Sequence, residues 1–173
     1  TILSRVQKMT CDKMDKESLK KLFCETDSNI LQIAISFGDG YIGKTLDIIN
    51  NPNFIENYKN MENLIENMKN SSQIPYFSPL LFKDKAVFEN NLKILNSLFR
   101  DMLMISLNKE ELINNYFIKD NLESCIAEYS VNCLLQILKR INKVKQMLDS
   151  NVNLTLLADN FLFDILEIKY LCK

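Results

Sequence analysis

Gly38-Asp39-Gly40-Tyr41-Ile42-Gly43-Lys44-Thr45 contains all three glycines of the chain, and the fold turns on how this string is read. It satisfies both G-x-x-x-x-G-K-[ST] and G-x-G-x-x-G, the spacings of loops whose backbone amides cradle phosphate. Such a loop needs a strand to deliver it beneath a helix N-terminus. The preceding residues, Asn29 to Phe37, step at helical spacing instead. Ile30, Leu31, Ile33, Ala34 and Phe37 form an apolar face, Asp27 or Ser28 starts it, and Gly38 is placed to stop it as the residue after the cap. No acidic residue closes an apolar strand to hold magnesium; Leu162-Phe163-Asp164 comes nearest and lies inside a helical stripe. Gly38, Gly43, Lys44 and Thr45 are therefore read as a corner between two helices, not as a nucleotide site.

Outward from this corner the apolar pattern stays helical. Upstream, Asp15 caps a helix reaching about Glu25, with Leu19, Leu22 and Phe23 on one face. Downstream, a short third helix carries Ile42, Leu46 and Ile49, and Asn50-Asn51-Pro52-Asn53 breaks the pattern as a domain boundary. Phe54, Tyr58, Met61, Leu64, Ile65 and Met68 mark a further amphipathic helix, and Ser71 to Pro79, with two of the three prolines, reads as a loop. A long helix follows with Phe88, Leu92, Leu95, Leu98, Phe99, Met102 and Ile105 on its stripe. Shorter segments cover Leu112 to Tyr116 and Leu122 to Tyr129. Two long stripes close the chain, Leu134 to Leu148 and Leu154 to Ile168. No period-two strand pattern and no βαβ alternation interrupts this order, so the expected fold is all-α, a small first module followed by a larger bundle.

Composition narrows the chemistry. The chain has 173 residues, 47% of them apolar, enough to bury a core. Its 21 basic and 22 acidic residues leave a net charge of −1, unlike the net basic field of a dedicated nucleic-acid binder. The absence of histidine removes His-based triads, His-ligated metals and the usual general base near neutral pH. Cys11, Cys24, Cys125, Cys133 and Cys172 include no C-x-x-C pair, and their odd number reads as reduced, buried, inert thiols. No metal site is expected. The longest apolar runs are far too short to span a bilayer, and no signal-peptide pattern opens the chain. The start at Thr1 rather than Met reads as a fragment boundary or a missing leader.

The first seven residues, Thr1-Ile2-Leu3-Ser4-Arg5-Val6-Gln7, resemble the S-R-C motif, usually T-I-x-S-R-C, that ends the AAA+ core of bacterial clamp-loader subunits. Gly40-Tyr41-Ile42-Gly43-Lys44-Thr45-Leu46 resembles the sensor-2 corner of the lid in the same proteins, typically G-S-x-[R/G]-x-A-L. Motor subunits carry arginine where this chain has Gly43; the delta prime subunit of bacterial DNA polymerase III lacks it and does not hydrolyse ATP. Leu98-Phe99-Arg100-Asp101-Met102-Leu103 and the closing Asn153-Leu154 to Leu166 are similar to the collar domain of that subunit. Val6 departs from the motif cysteine.

The resemblance implies a three-part division: 1–7 as the end of the AAA+ core, 8–50 as the AAA+ lid, and 51–173 as a helical collar domain for oligomerisation. It implies that Arg5, with Ser4, acts as a trans arginine finger at ATP held by a neighbouring subunit, a job suited to its fixed, always-charged fork. The chain itself would hold no cofactor. Its partners would be the motor (gamma/tau) and delta subunits in a hetero-pentamer and, through that complex, the sliding clamp and primed DNA, in a cytoplasmic, nucleoid-associated replisome. Zinc cysteines of that family belong to an N-terminal domain outside this sequence.

Other residues read as structural. Lys139, Arg140, Lys143 and Lys145 form a basic cluster on one helix, best taken as a solvated face. Glu62, Glu66, Glu110 and Glu111 read as surface charges, Met102 and Met104 as core, and Lys44 as a solvated lid lysine. Three alternatives stand beside the delta prime reading. The first is a motor subunit or delta itself, the former disfavoured by Gly43 and the latter by the Ser4-Arg5 motif. The second is a helical regulator or adaptor in which Ser4-Arg5 is coincidental. The third is a nucleotide-binding enzyme resting on Gly38 to Thr45 alone.

Overall fold

A computed structural model describes residues 12–150 and 152–171 and contains α- and 3-10 helices but no strand among them. The chain divides into two compact units, Thr1–Pro52 and Asn53–Lys173.

The first unit holds α1 (Lys16–Leu22), α2 (Ser28–Gly38) and α3 (Ile42–Ile49). Asp15 starts α1 by accepting from the Ser18 amide at 2.9 Å and its hydroxyl at 2.7 Å. Asp27 starts α2 by accepting from the amides of Asn29 and Ile30. Each carboxylate satisfies helix N–H groups that have no partner inside the helix. Leu19, Leu31 and Ile35 form the core, with Met14, Phe23 and Ile49 packed against it. Three expectations need correction. Helix α1 ends at Leu22, which is exposed, so the pattern toward Glu25 belongs to a turn. Gly38 is the last helical residue of α2, and the left-handed turn is made by Asp39 (φ 53°) and Gly40 (φ 80°). In α3 the fully buried side chain is Thr45, while Ile42 and Leu46 face outward.

The second unit is built around α6 (Lys85–Ser106), opened by Asp84 accepting from the Val87 amide. One side of α6 packs on α8 (Val131–Leu148), which packs in turn on α9 (Leu154–Leu171). Helix α9 also meets α5 (Ile74–Leu81), and α7 (Lys119–Ile126) lies against α6. Phe88, Leu92, Leu95, Leu98, Phe99 and Met102, all expected on one stripe, are fully buried. So are Leu134, Ile137, Ile141 and Val144 of α8 and Phe161 and Ile165 of α9. Helix α4 (Pro52–Asn67) buries Tyr58, Met61, Leu64 and Ile65 as its spacing predicts.

The expected loop from Ser71 to Pro79 is instead a 3-10 turn (Ser71–Gln73) running into α5. Pro75 sits in the first turn, where a missing N–H costs nothing, and Pro79 is tolerated on the exposed side. Burial of Ile74, Phe77 and Leu81 outweighs the lost hydrogen bond. The segment from Leu112 to Tyr116 contributes to two 3-10 turns, Glu110–Leu112 and Tyr116–Ile118. Helix α6 ends with Asn108 in the left-handed region at φ 55°. There the Lys109 amide donates to Met104 and the Asn108 amide to Ile105, pairing the last carbonyls of the helix.

Candidate functional site

The corner that carries the glycines is shaped by close approach. A Cβ on Gly38 would overlap the hydroxyl of Thr45, and one on Gly40 would crowd Lys13 and the Met14 carbonyl. The Thr45 hydroxyl donates to the Tyr41 carbonyl at 3.0 Å, the Tyr41 amide to Gly38 at 2.9 Å, and the Met14 amide to Gly40 at 2.8 Å. Two of the glycines therefore serve helix packing and a tight turn. Gly43 has open space around it and no positive φ. Nothing steric demands glycine there. Lys44 lies over the Tyr41 ring at 4.7 Å and Lys13 at 5.4 Å, while Lys13 pairs with Asp39 at 2.7 Å. That pairing raises the Lys13 ammonium and holds the Asp39 carboxyl below its ordinary range. Ser4 and Arg5 lie outside the described residues.

In the second unit the polar centre is Asp101, fully buried in mid-α6. Its carboxylate accepts from the Asn115 amide and side chain, both at 2.8 Å, from the Asn114 amide at 3.2 Å, and from Arg100 at 3.1 Å. Arg100 also donates to the Leu112 carbonyl, and the Asn115 side chain to Ser97. The Tyr58 hydroxyl of α4 donates to Asn115 at 3.5 Å, and burial pushes that phenol well above its ordinary range. A buried charge supplied with this many donors pins the 113–115 segment onto α6. Sequence reading passed over it, although the signal was present: a carboxylate beside Leu98 and Met102 on an otherwise apolar stripe. Asn91 works similarly, its amide donating to the carbonyls of Leu80 and Leu81 that end α5.

A cleft of about 320 Å³ is lined by Ile65, Glu66, Lys69, Ser124, Cys125 and Glu128. Glu128 pairs with the buried Lys169 and, at 3.7 Å, with Lys69; Lys169 also covers the Tyr129 ring at 4.8 Å. Burial, with Glu62 adding, raises the Glu66 carboxyl, and burial raises the Cys125 thiol, the opposite of an activated nucleophile. Among the described cysteines Cys133 is buried, Cys125 half-buried and Cys24 exposed, so the expectation of uniformly buried thiols fails at Cys24. Among the described residues no group of three or more Cys, Asp or Glu is placed to hold a metal ion. No described helix is long and apolar enough to cross a membrane.

A surface offers more. Leu156, Phe163 and Tyr170 recur at seven-residue steps on one side of α9, each at least half exposed. Seven residues are nearly two helical turns, so the three side chains form a single stripe. Exposed Asn160 and Glu167 lie between them on the same side, so this is a mixed face with three large apolar side chains spaced along it. The stripe expected from the spacing of α9, from Leu154 through Leu157, Phe161 and Ile165 to Ile168, does not include these three residues.

Comparison with known proteins agrees with an assembling bundle. No curated protein and no solved structure matches the chain at a significant level. Residues 52–167, nearly all of the second unit, match the family described as DNA polymerase III, delta subunit, C terminal. The chain belongs to that family and is part of a clamp-loader subunit of DNA polymerase III.

Proposed function

We propose that this chain is the lid and collar part of a delta prime subunit, the non-hydrolysing member of the clamp loader. The second unit assembles side by side with the collars of the motor (gamma/tau) and delta subunits. The first unit is the AAA+ lid, and Arg5, with Ser4, reaches the ATP of an adjacent motor subunit. The chain binds no cofactor itself, and the sliding clamp and primed DNA are met through the complex, in the cytoplasm. The observation that carries the collar part of this reading is the family match over 52–167, coupled to the exposed Leu156, Phe163 and Tyr170 on the same unit. Gly43 adds support, because its surroundings would accept a larger side chain and its lack of one is not a packing requirement.

The test is size-exclusion chromatography of this chain with the motor and delta subunits of the same organism. Co-elution is expected, and Leu156→Asp with Phe163→Asp should abolish it. Persistent separate peaks with folded partners would reject the collar role and favour the helical adaptor. The description of the matched family favours delta itself as a second reading. Arg5→Ala in the full-length subunit separates the two. As a finger its loss lowers ATP hydrolysis by the complex by a factor of about 10³ or more; unchanged hydrolysis by an intact complex leaves delta.

A further inference from the structure

Helix α8 carries Lys139, Arg140, Lys143 and Lys145 and no acidic residue at all. Arg140 is taken up by Asp164 of α9. Among the described residues the three lysines form no ion pair and no hydrogen bond. The exposed side of the helix reads Asn132, Gln136, Lys139, Asn142, Lys143 and Gln146, a single face running roughly 21 Å along the axis. Its amides are likewise without partners. Val131 and Leu135 are the exposed apolar residues, both in the first turns.

A solvated face ordinarily mixes its charges, as α4 does with Glu56, Lys59, Glu62 and Glu66. On α8 the segregation carries a cost. Lys139 and Lys143 repel each other at an i,i+4 spacing. Lys145, half-buried at the edge of the helix, has Lys93 of α6 as a like-charged neighbour, and burial together with that neighbour lowers its ammonium pKa. Folding asks for none of this, and the net charge of −1 shows that it is not part of a general excess of positive charge. Lysine ammonium groups and Asn or Gln amides are the donors that proteins aim at phosphate oxygens. No aromatic residue lies on α8 to stack an unpaired base, the usual second component of a single-strand site.

We propose that the exposed face of α8 is a sequence-independent contact for the phosphate backbone of duplex nucleic acid. The solvated-face reading of the lysine cluster is replaced because the face is free of acid and unpaired over its whole length. The contact is independent of whether the subunit is delta or delta prime, and it lies on a different helix from the α9 stripe.

Fluorescence anisotropy of a labelled 20-base-pair duplex titrated with this chain between 50 and 200 mM salt tests it. Log affinity should fall against log salt with a slope of about −2 to −3, set by three lysines. Lys139→Gln with Lys143→Gln should weaken binding at least fivefold at 50 mM salt and flatten the slope by about two. Lys139→Arg with Lys143→Arg should retain it. The charge-matched pair Lys16→Gln with Lys20→Gln on α1 should change affinity less than twofold. Circular dichroism verifies the fold of each variant, and all these side chains are exposed. Absence of binding at 50 mM salt overturns the proposal. So does a loss shared with the α1 control, tighter binding to a single strand of equal length, or tighter binding to polyglutamate.

Discussion

The two units solve the same problem, joining consecutive helices, by different means. In the first, the α2–α3 corner is closed by backbone proximity: Gly38 lets Thr45 in, and Gly40 supplies the positive φ. In the second, the irregular 109–118 segment contains no glycine and is held by a buried side-chain network centred on Asp101. A corner made by removing atoms is cheap to build and easily jammed. A segment held by a buried carboxylate is tolerant of surface change but depends on one group.

The largest effect should come from that group. Asp101→Ala removes the buried carboxylate shared by Asn114, Asn115 and Arg100, and should cost about 3–5 kcal/mol. Chemical denaturation should show the loss in the transition of the second unit, and amide exchange should quicken first at Asn114 and Asn115. A loss below 1 kcal/mol would remove Asp101 from its central place. The corresponding test of the first unit is Gly38→Ala, which forces a methyl against the Thr45 hydroxyl and should cost roughly 1–3 kcal/mol. Thr45→Ala in the same chain should recover part of that loss, giving a coupling energy that independent sites would not show. Gly43→Ala should have the opposite sign. With open space, and helical position within α3, it should stabilise by up to about 1 kcal/mol. Two glycines five residues apart would then answer the same substitution in opposite directions.

The smallest effects are in acid. The hydrogen bonds from Ser18 hold the Asp15 carboxyl below its ordinary value, and Lys13 does the same for Asp39. Their stabilisation is present above the unfolded carboxylate pKa of about 4 and is lost as pH falls through the lower folded value. Glu66 in the second unit is raised instead, by burial and then by Glu62. Its contribution is present below the unfolded pKa and lost as pH rises through the higher folded one. Between about pH 3 and 5 the first unit should loosen on acidification while the Glu66 contribution moves the other way. Glu66→Gln should remove only the latter, as followed by NMR of the two units across that range. Parallel behaviour of both units in the mutant and the parent would contradict this assignment.

Much of this architecture was legible in the residues. Asp15 and Asp27 announce helix starts because a short carboxylate reaches two or three amides ahead in any context. The stripes from Phe88 to Met102 and from Leu134 to Val144 announce buried faces because helical periodicity survives any packing arrangement. Leu156, Phe163 and Tyr170 fall outside the stripe that the spacing of α9 predicts, and only their exposure in the fold sets them apart. Pro75 and Pro79 concealed α5, since the cost of proline is local and the burial that overrides it is not.

By itself the sequence determined that the chain is helical, where α1 and α2 begin, and that the glycine-rich string turns a corner between α2 and α3. These are short-range matters, settled by spacing, caps and backbone freedom within a few residues. Only the tertiary structure decided that Gly38 is a packing position and Gly43 is not. It also decided that Asp101 is a buried hub, that Leu156, Phe163 and Tyr170 of α9 stay exposed, and that the α8 lysines go unpaired. Each of these depends on what another helix brings alongside, and that information is absent from any single stretch of the chain.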